Sequence, residues 1–371
     1  MARQLISNED FHRITENHFD NQNDQIIVLE NKEFVDSLKI WSLSQTVHFK
    51  NCFFQDRVII RFCTKDVIFD NCNFTKTLNL NNCKFEKNAK FWNSTFNDID
   101  FHNTTFKGLA DFWSCTFNKK IIFYKTDFLG TTVFSAATFN DAVLFTYTSI
   151  TKVIIFRGTT FKNGIDLSQA IISGNISLHD LRIEKYKAVA NTNDNIVYEN
   201  YIIEDGIIPF ANKRETFRLI KQTYSKNGNE IDSLEFRKRE QYTFFVETLH
   251  NLKKGNKIGI SLQNIFILTF NFISNFFGVS WFVGFLFICF FGGFFFLKSI
   301  IQIPGYEFTL NYNEWEWEHF KYFFEFLNPT HKVDYIQKEN LNNSFYGYDF
   351  GGRIFVSYGI YQFIQAFRKY K

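Results

Sequence analysis

Large apolar residues recur at steps of five or six residues through the first half of the chain. From Phe106 to Leu178 the steps alternate strictly, six residues and then five. A helix face and a strand face have periods of about 3.6 and 2 residues, so neither element explains this spacing. Self-similarity of this kind indicates a solenoid. The repeat centres are Phe69, Phe74, Leu80, Phe85, Phe91, Phe96, Phe101, Phe106, Phe112, Phe117, Phe123, Phe128, Phe134, Phe139, Phe145, Ile150, Phe156, Phe161, Leu167, Ile172, Leu178 and Ile183.

A second position repeats two residues before each centre and is either small or β-branched. A chain that turns a corner every five or six residues forms a square coil, in which one large residue on each side fills the axis. A small residue near the corner then lets the backbone turn without a clash, and Asn, Asp, Thr and Gly suit the corners. Stacked coils would pair through parallel backbone hydrogen bonds, about 4.8 Å apart. The small residues are Cys72, Cys83, Ala89, Ser94, Thr104, Ala110, Cys115, Thr126, Ala137, Thr159 and Ala170.

The segments DNCNF, NNCKF, HNTTF, WSCTF and RGTTF resemble the pentapeptide-repeat family, whose consensus is a small residue, any residue, and then Leu or Phe. The resemblance covers residues 40–183 and implies a right-handed quadrilateral β-helix. The extra residue in alternate units departs from the consensus. Each coil would therefore hold about 22 residues, with a bulge expected at one or two corners.

The stretches on either side of the repeats are assigned from composition and spacing. Residues 1–39 are predicted to cap the first coil, because an open solenoid end exposes unpaired strand edges. Residues 184–212 are predicted to be a linker. Residues 213–254 show helical spacing interrupted at Asn227-Gly228-Asn229, which predicts a helical hairpin. This hairpin resembles the one that often follows pentapeptide coils in bacterial membrane proteins.

No charged residue occurs between Ile258 and Leu297, a run of 40 positions, and this length indicates a membrane segment. Residues 279–301 are predicted to form one transmembrane helix. Residues 258–277 are predicted to form an amphipathic helix in the membrane interface, with a further span as the alternative. Residues 302–349 are predicted to be an extracytoplasmic aromatic and acidic loop, and residues 350–367 a second transmembrane helix.

Basic residues indicate the orientation of this membrane region. Lys253, Lys254 and Lys257 precede the first predicted span. Arg368, Lys369 and Lys371 follow the last span. Because Lys and Arg accumulate on the cytoplasmic side, both termini are predicted to be cytoplasmic in a multi-pass protein of the bacterial inner membrane.

The last predicted span carries a stripe of polar residues, which are Tyr358, Tyr361, Gln362 and Gln365. Polar side chains inside a membrane usually face protein or water, so this stripe is predicted to do so. Gly292 and Gly293 are predicted to pack against this last span, because small residues let helices approach closely.

No motif in the sequence predicts catalysis. The eight histidines show no metal-ligand spacing, and nucleotide-binding and nucleophile motifs are absent from the sequence. Four of the five cysteines in or near the repeats stand at the small inward position, which predicts buried reduced thiols and a cytoplasmic solenoid. The chain is therefore predicted not to be an enzyme, with no catalytic, cofactor-binding or metal-binding residues.

The charge balance argues against nucleic acid as a partner and against mimicry of DNA. Residues 47–183 contain 16 Lys and Arg and 11 Asp and Glu, so the rod is slightly basic without a clustered basic stripe. The sequence favours a non-enzymatic, membrane-anchored scaffold whose solenoid surface binds a protein. The alternative is a subunit of an oligomeric membrane pore or ion channel. The lipid bilayer, a protein partner and a second copy of the chain are the partners expected.

Overall fold

The structure of the protein is a computed structural model with two compact units, Met1–Asn227 and Gly228–Lys371. The first unit contains a β-solenoid, and the second is built from helices. The residues that the structure describes are 3–19, 26–254, 258–303, 317–332 and 341–367.

The solenoid has four faces, and every strand pair in it is parallel. The chain passes through the first, second, third and fourth face in turn and then starts the next coil. The first face consists of Ile27–Glu30, Val47–Lys50, Val67–Asp70, Ala89–Trp92, Ala110–Asp111, Thr132–Val133, Val153–Ile155 and Asn175–Ser177. The second face consists of Gln4–Ile6, Lys32–Phe34, Phe53–Phe54, Asn73–Asn79, Thr95–Asp100, Thr116–Phe117, Thr138–Phe139, Thr160–Phe161 and Arg182–Ile183. The third face consists of Leu38–Ile40, Val58–Ile60, the ends of Asn73–Asn79 and Thr95–Asp100, and then Ile121–Ile122, Val143–Leu144 and Ile165–Asp166. The fourth face consists of Phe62–Cys63, Lys84–Phe85, Thr105–Phe106, Asp127–Phe128, Ser149–Ile150 and Ile171–Ile172.

The length of a coil explains where the ladder is irregular. Phe34 pairs with Phe54, which gives a coil of 20 residues, whereas Phe117 pairs with Phe139 in a coil of 22. Where six-residue steps stack on six-residue steps, the register stays constant. It shifts between Phe74 and Thr77, where a six-residue step meets a five-residue step in the next coil. The bulge is therefore a mismatch between two coils, at the corner between the second and third faces.

Columns of phenylalanine rings fill the axis. Phe49 and Phe69 stack in successive coils with ring centroids 4.6 Å apart and planes 3° apart. Rings on neighbouring faces meet edge to face, as Phe101 and Phe112 do at 85°. Stacked and edge-to-face pairs are both favourable arrangements of aromatic quadrupoles. The repeat centres are thus the buried core that the sequence predicts.

The small inward position has a role beyond its size. Thr126 and Thr159 donate hydrogen bonds from their side chains to the carbonyls of Phe101 and Phe134, at 2.9 and 2.8 Å. The Cys52 thiol donates to the carbonyl of Leu29 at 3.1 Å. A thiol or hydroxyl that fits beside the axis therefore satisfies a buried carbonyl of the preceding coil, which explains why Cys, Ser and Thr recur there.

Two of the four corners use left-handed backbone. Asn71 and Asn93 have φ values of 53° and 51° at the corner between the first and second faces. Asn82 and Asn103 do the same between the third and fourth faces. Asparagine tolerates this conformation better than most residues, and the Asn71 amide also donates to the Asn51 side chain at 2.8 Å.

The coils begin earlier than the sequence predicts. Ile27–Glu30 already pairs in register with Val47–Lys50, inside the stretch 1–39 that was assigned to a cap. The cap is helix α1, Asn8–Phe19, whose Phe11 is buried and stacks on Phe49 with ring centroids 5.8 Å apart. These first coils are only 20 residues long and contain few phenylalanines, so the spacing of Phe residues does not reveal them.

Cys63 occupies a repeat centre. It pairs with Phe85 on the fourth face and is fully buried, while Phe62 beside it is only half-buried. The irregular turn around these two residues has two causes. Ile59 pairs with Asn79 but Cys63 pairs with Phe85, so the corner before Cys63 is two residues shorter than the one stacked on it, and Cys replaces Phe on the axis.

Seven helices and one π-helical segment follow the solenoid among the described residues. They are α2 Asn195–Asn200, the π-helical turn Tyr201–Asp205, α3 Phe210–Lys226, α4 Glu230–Lys253, α5 Ile258–Asn275, α6 Trp281–Ile300, α7 Trp317–Phe326 and α8 Asn343–Phe367. Asn229 caps α4 by accepting a hydrogen bond from the Asp232 amide, and α3 ends before Asn227. The predicted break at Asn227-Gly228-Asn229 lies at the boundary between the two units.

Helices α6 and α8 run antiparallel in the second unit. A Cβ on Gly284 would lie 3.2 Å from the Phe363 backbone, and one on Gly359 would lie 2.7 Å from the Ile288 side chain. These glycines therefore let the two helices approach. A Cβ on Gly293 would meet no atom within 4 Å, so the predicted contact of Gly293 with the last helix is wrong, whereas one on Gly292 would meet Leu327 as well as Val356.

The two helices long and apolar enough to cross a membrane, within the described residues, are α5 and α6. Helix α8 packs along α6 but contains more polar residues. The predicted loop 302–349 contains α7 and the start of α8, and its residues 304–316 and 333–340 lie outside the described part of the chain.

Removing one ring from the axis should destabilise the solenoid by about 3–5 kcal/mol through cavity formation. Phe128 is fully buried and stacks on Phe106 at 5.2 Å, so we expect Phe128→Ala to have this effect. Hydrogen exchange of the full chain should show faster opening of the strands around it. Asn97→Ser, at a half-buried outward position, should leave the exchange unchanged. Equal exchange in the two variants would contradict the packed axis.

Candidate functional site

The first face carries a groove along its edge, at the corner with the second face, which we call the first-face groove. Its volume is about 510 Å³. Trp113, Ser135, Arg157 and His179 occupy equivalent positions in successive coils, as the backbone bonds between those coils show. The groove is lined by Asp111, Trp113, Val133, Ser135, Ala136, Arg157, Gly158, His179 and Asp180. Small residues in its middle separate a large aromatic residue at one end from basic residues at the other.

Trp113 is 47% exposed, and its backbone is held by a neighbouring carboxylate. One Asp111 carboxylate oxygen accepts the Trp113 backbone amide at 3.1 Å, and the other accepts the Trp92 indole N–H at 2.8 Å. Lys90 lies over the Trp92 ring, 5.0 Å from its centroid. Asp111 therefore fixes the backbone of Trp113 and the ring of Trp92 at this end of the groove before any partner binds.

The basic end of the groove is formed by Arg157 and His179, which are both exposed. Within the described part of the chain, neither side chain has a hydrogen bond or ion pair. Asp180, in contrast, is engaged by Arg182 at 2.8 Å. The guanidinium of Arg157 is thus available to an acceptor from outside, next to an exposed indole.

The third face is covered by the chain itself. Residues 184–209, which we call the strap, follow the last strand and lie against this face. Ile202 and Ile208 form one buried cluster with Leu144 of the solenoid. Thr146 donates to the Ile202 carbonyl at 2.8 Å. The predicted linker is therefore a packed segment, and the upper coils of the third face are closed to a partner.

A buried carboxylate joins the solenoid to α3. Asp166 is 2% exposed and accepts hydrogen bonds from the Asn212 side chain at 2.9 Å and the Thr216 hydroxyl at 3.3 Å. Thr216 in turn accepts the Leu167 amide at 2.9 Å. Nothing in the sequence indicates this network, because Asp166 stands in the same outward column as Ile122 and Leu144 and its partners come from α3.

Truncation of Asp166 should release α3. Asp166→Ala removes the acceptor of the buried Asn212 and Thr216 side chains, and each donor left without a partner costs about 1–3 kcal/mol. We expect faster hydrogen exchange and faster proteolysis in residues 195–226. The control is Asp180→Ala, which removes an exposed ion pair that contributes little. Unchanged protection in Asp166→Ala would contradict the role of this carboxylate.

A second charged pair lies at the edge of the strap. The Nδ1 atom of His102 donates a hydrogen bond to an Asp100 carboxylate oxygen at 2.6 Å. The hydrogen bond to Asp100 raises the pKa of His102, although the partial burial of the ring lowers it. A backbone hydrogen bond with Ile203 of the strap also raises this pKa. Burial raises the pKa of the Asp100 carboxyl, but the bonds from His102 outweigh this and lower it overall.

These two shifts predict the pH range of the contribution to stability. A histidine with a raised pKa stabilises the fold fully below its unfolded value of about 6.5 and loses this effect as the pH rises through the folded value. Because the pKa of Asp100 is lowered, the contribution to stability begins to fall when the pH drops below the unfolded value of Asp100, about 3.9, and Asp100 becomes protonated. We therefore expect His102→Gln to lower the melting temperature at pH 5.5 but much less at pH 8.5. The same difference at both pH values would contradict this assignment.

The cysteines of the solenoid are free and buried. Burial raises the pKa of the Cys63 thiol to about 12, and it raises that of Cys115 as well. Such thiols are poor nucleophiles. Among the residues that the structure describes, no group of three or more His, Cys, Asp or Glu side chains could hold a metal ion.

Comparison with known proteins identifies the repeat. Residues 69–116 match the family model described as pentapeptide repeats, in 9 copies. Neither the curated proteins nor the solved structures contain a match to the chain. The matched segment includes three successive five-residue steps, from Phe91 to Phe106, which is the spacing of a pentapeptide repeat.

Proposed function

The chain carries a pentapeptide-repeat β-solenoid, and from this we propose that it is a non-enzymatic, membrane-anchored scaffold that binds a protein through the first-face groove. The observation that carries the proposal is the exposed Trp113, whose backbone amide is bonded to Asp111 and which stands on the same column as Arg157. Tryptophan and arginine dominate the binding energy of protein interfaces, where rigid anchors cost little entropy on binding.

The chemistry of the groove specifies the partner. An indole and a half-buried valine, Val133, favour an apolar side chain at one end. A guanidinium and an imidazole, Arg157 and His179, favour a carboxylate at the other, because arginine binds carboxylates in a bidentate geometry. We therefore propose a protein segment that places an apolar and an acidic side chain on neighbouring coils of the solenoid.

Two features support attachment to a membrane with the solenoid in the cytoplasm. Helices α5 and α6 are long and apolar enough to cross a bilayer, and large apolar side chains such as Phe290 are exposed on them. The five cysteines of the solenoid are reduced, as is usual for a cytoplasmic compartment. The bacterial inner membrane remains the location proposed.

The pore alternative depends on polar groups of α8 that would line a water path. Tyr358 donates to the Asn271 side chain at 3.0 Å, and Gln362 is buried against Asn275. Of the predicted stripe, only Tyr361 is well exposed. Because the two innermost polar groups are engaged within one chain, the contacts support the scaffold better than the pore.

The proposal is tested by placing a photo-reactive amino acid at Ser135, in the middle of the groove. We expect it to crosslink in cells to one partner, which is then purified and mixed with the full chain. Trp113→Ala and Arg157→Glu should each weaken that binding at least tenfold, because they remove the anchor and reverse the charge. Asn118→Ala, exposed on the second face, is the matched control and should bind normally. Equal binding by all three variants would overturn the proposed site.

A further inference from the structure

Helix α5 has the surroundings of a membrane span, although its sequence predicts a helix in the membrane interface. We propose that α5 crosses the bilayer beside α6 and α8, so that lipid acyl chains cover its outer face. This inference rests on the proposed attachment to a membrane and changes its topology.

The direction of α5 follows from contacts in register with α8. The Asn275 side chain donates to the Gln362 carbonyl at 3.2 Å, and one turn earlier Asn271 accepts from Tyr358. A further contact joins the Phe270 and Phe355 rings, 6.0 Å apart. Successive turns of α5 thus meet successive turns of α8, and the C-terminal half of α5 runs parallel to it.

Helix α6 completes the bundle at the same depth. The Phe355 ring that contacts α5 also stacks on Phe291 of α6 at 4.9 Å. Trp281 at the start of α6 contacts Phe367 at the end of α8, 5.8 Å apart. Because α6 and α8 lie along each other, any helix aligned with α8 shares their direction through the bilayer.

From Phe266 onwards the polarity of α5 is arranged for lipid outside and protein inside, while the exposed Gln263 lies in its first two turns. Its Ser274 and Asn275 are buried against α8, whereas Phe266 and Ile267 are 64% and 56% exposed. A helix lying at the membrane surface would direct its amides to water and bury its apolar face. Amides that bond between helices, beneath an apolar exterior, are typical of helices within the bilayer.

The length of α5 and the turn after it are compatible with a crossing. Its 18 residues give a helix of about 27 Å, close to the roughly 30 Å of a hydrocarbon core. The connection to α6 consists of uncharged residues 276–280. Asn275 closes this turn by accepting the Gly278 amide at 2.7 Å, so few backbone groups are left unsatisfied where the chain reverses.

Three crossings place the chain differently from two. The turn 276–280 and the C-terminus would lie on the side opposite to Asn229 and Asn342. The side of Asn229 then receives Lys253, Lys254, Lys257, Lys298, Lys321, Lys332 and Lys338, against Arg368, Lys369 and Lys371 on the other. The excess of basic residues still places the side of Asn229 in the cytoplasm.

Thiol labelling of the full-length protein tests this topology. Single cysteines replace Asn229, Val279, Asn342 or Lys371 in a Cys289→Ala background, in which the buried solenoid thiols serve as the unlabelled baseline. An impermeant maleimide is added to intact spheroplasts and, separately, to permeabilised ones. We expect Val279→Cys and Lys371→Cys to label in intact spheroplasts, and Asn229→Cys and Asn342→Cys only after permeabilisation.

The other patterns have distinct meanings. Labelling of Asn342→Cys alone in intact spheroplasts would mean that α5 lies in the interface, and would overturn the three-crossing model while the membrane anchor stands. If alkaline carbonate removed the protein from membranes and all four sites were protected until permeabilisation, the proposed anchoring itself would be wrong. Should Val279→Cys be unreactive even after permeabilisation, Lys371→Cys decides between the two topologies.

Discussion

Stacked rings and paired backbones in this solenoid share one spacing. The Phe54 and Phe74 rings lie 4.6 Å apart, close to the roughly 4.8 Å between parallel strands. A flat ring therefore fills one coil without forcing its neighbours apart, and the edge-to-face contacts across the axis fix its orientation. The size of the inward small residues, the free state of the thiols and the straight columns of outward side chains all depend on this match.

The groove on the first face is a consequence of those columns. Outward residues of successive coils lie directly above one another, so a run such as Trp113, Ser135 and Arg157 becomes a shaped surface without any loop to support it. Most such columns are solvated polar residues. This one combines an exposed tryptophan with the Arg157 guanidinium, which makes no hydrogen bond or ion pair within the described part of the chain.

Much of the fold could be predicted from the sequence because the narrow axis of the coil requires a large residue at each centre and a small one two positions before it. Phe112 is an example of the large residue, and Cys115, two positions before Phe117, is an example of the small one. The polar partners of α8 could be expected too, since Tyr358 and Gln362 share a helical stripe. Cys63 is hard to recognise as a centre because it is small and because the corner before it is two residues shorter than the one in the next coil.

The remaining features depend on contacts between segments far apart in the chain. The strap looked like a linker because its apolar residues, among them Ile202, have no periodicity of their own and match only the third face. Asp166 differs from a solvated aspartate only through Asn212 and Thr216, which lie more than one element away. The environment of α5 likewise depends on α8. When the sequence of α5 is considered alone, its amide side chains predict contact with water.

The register shift between Phe74 and Thr77 bears on how such a rod can change length. A residue inserted within the side of a coil would move the next ring off its column, whereas one inserted at a corner leaves the columns in place. The corner between the second and third faces holds one extra residue, since Thr75 and Lys76 lie opposite Asn97 alone. The corner between the third and fourth faces holds two, since Ile59 pairs with Asn79 but Cys63 pairs with Phe85. A rod of this kind can thus lengthen by duplicating coils, while fine adjustment of its register takes place at its corners.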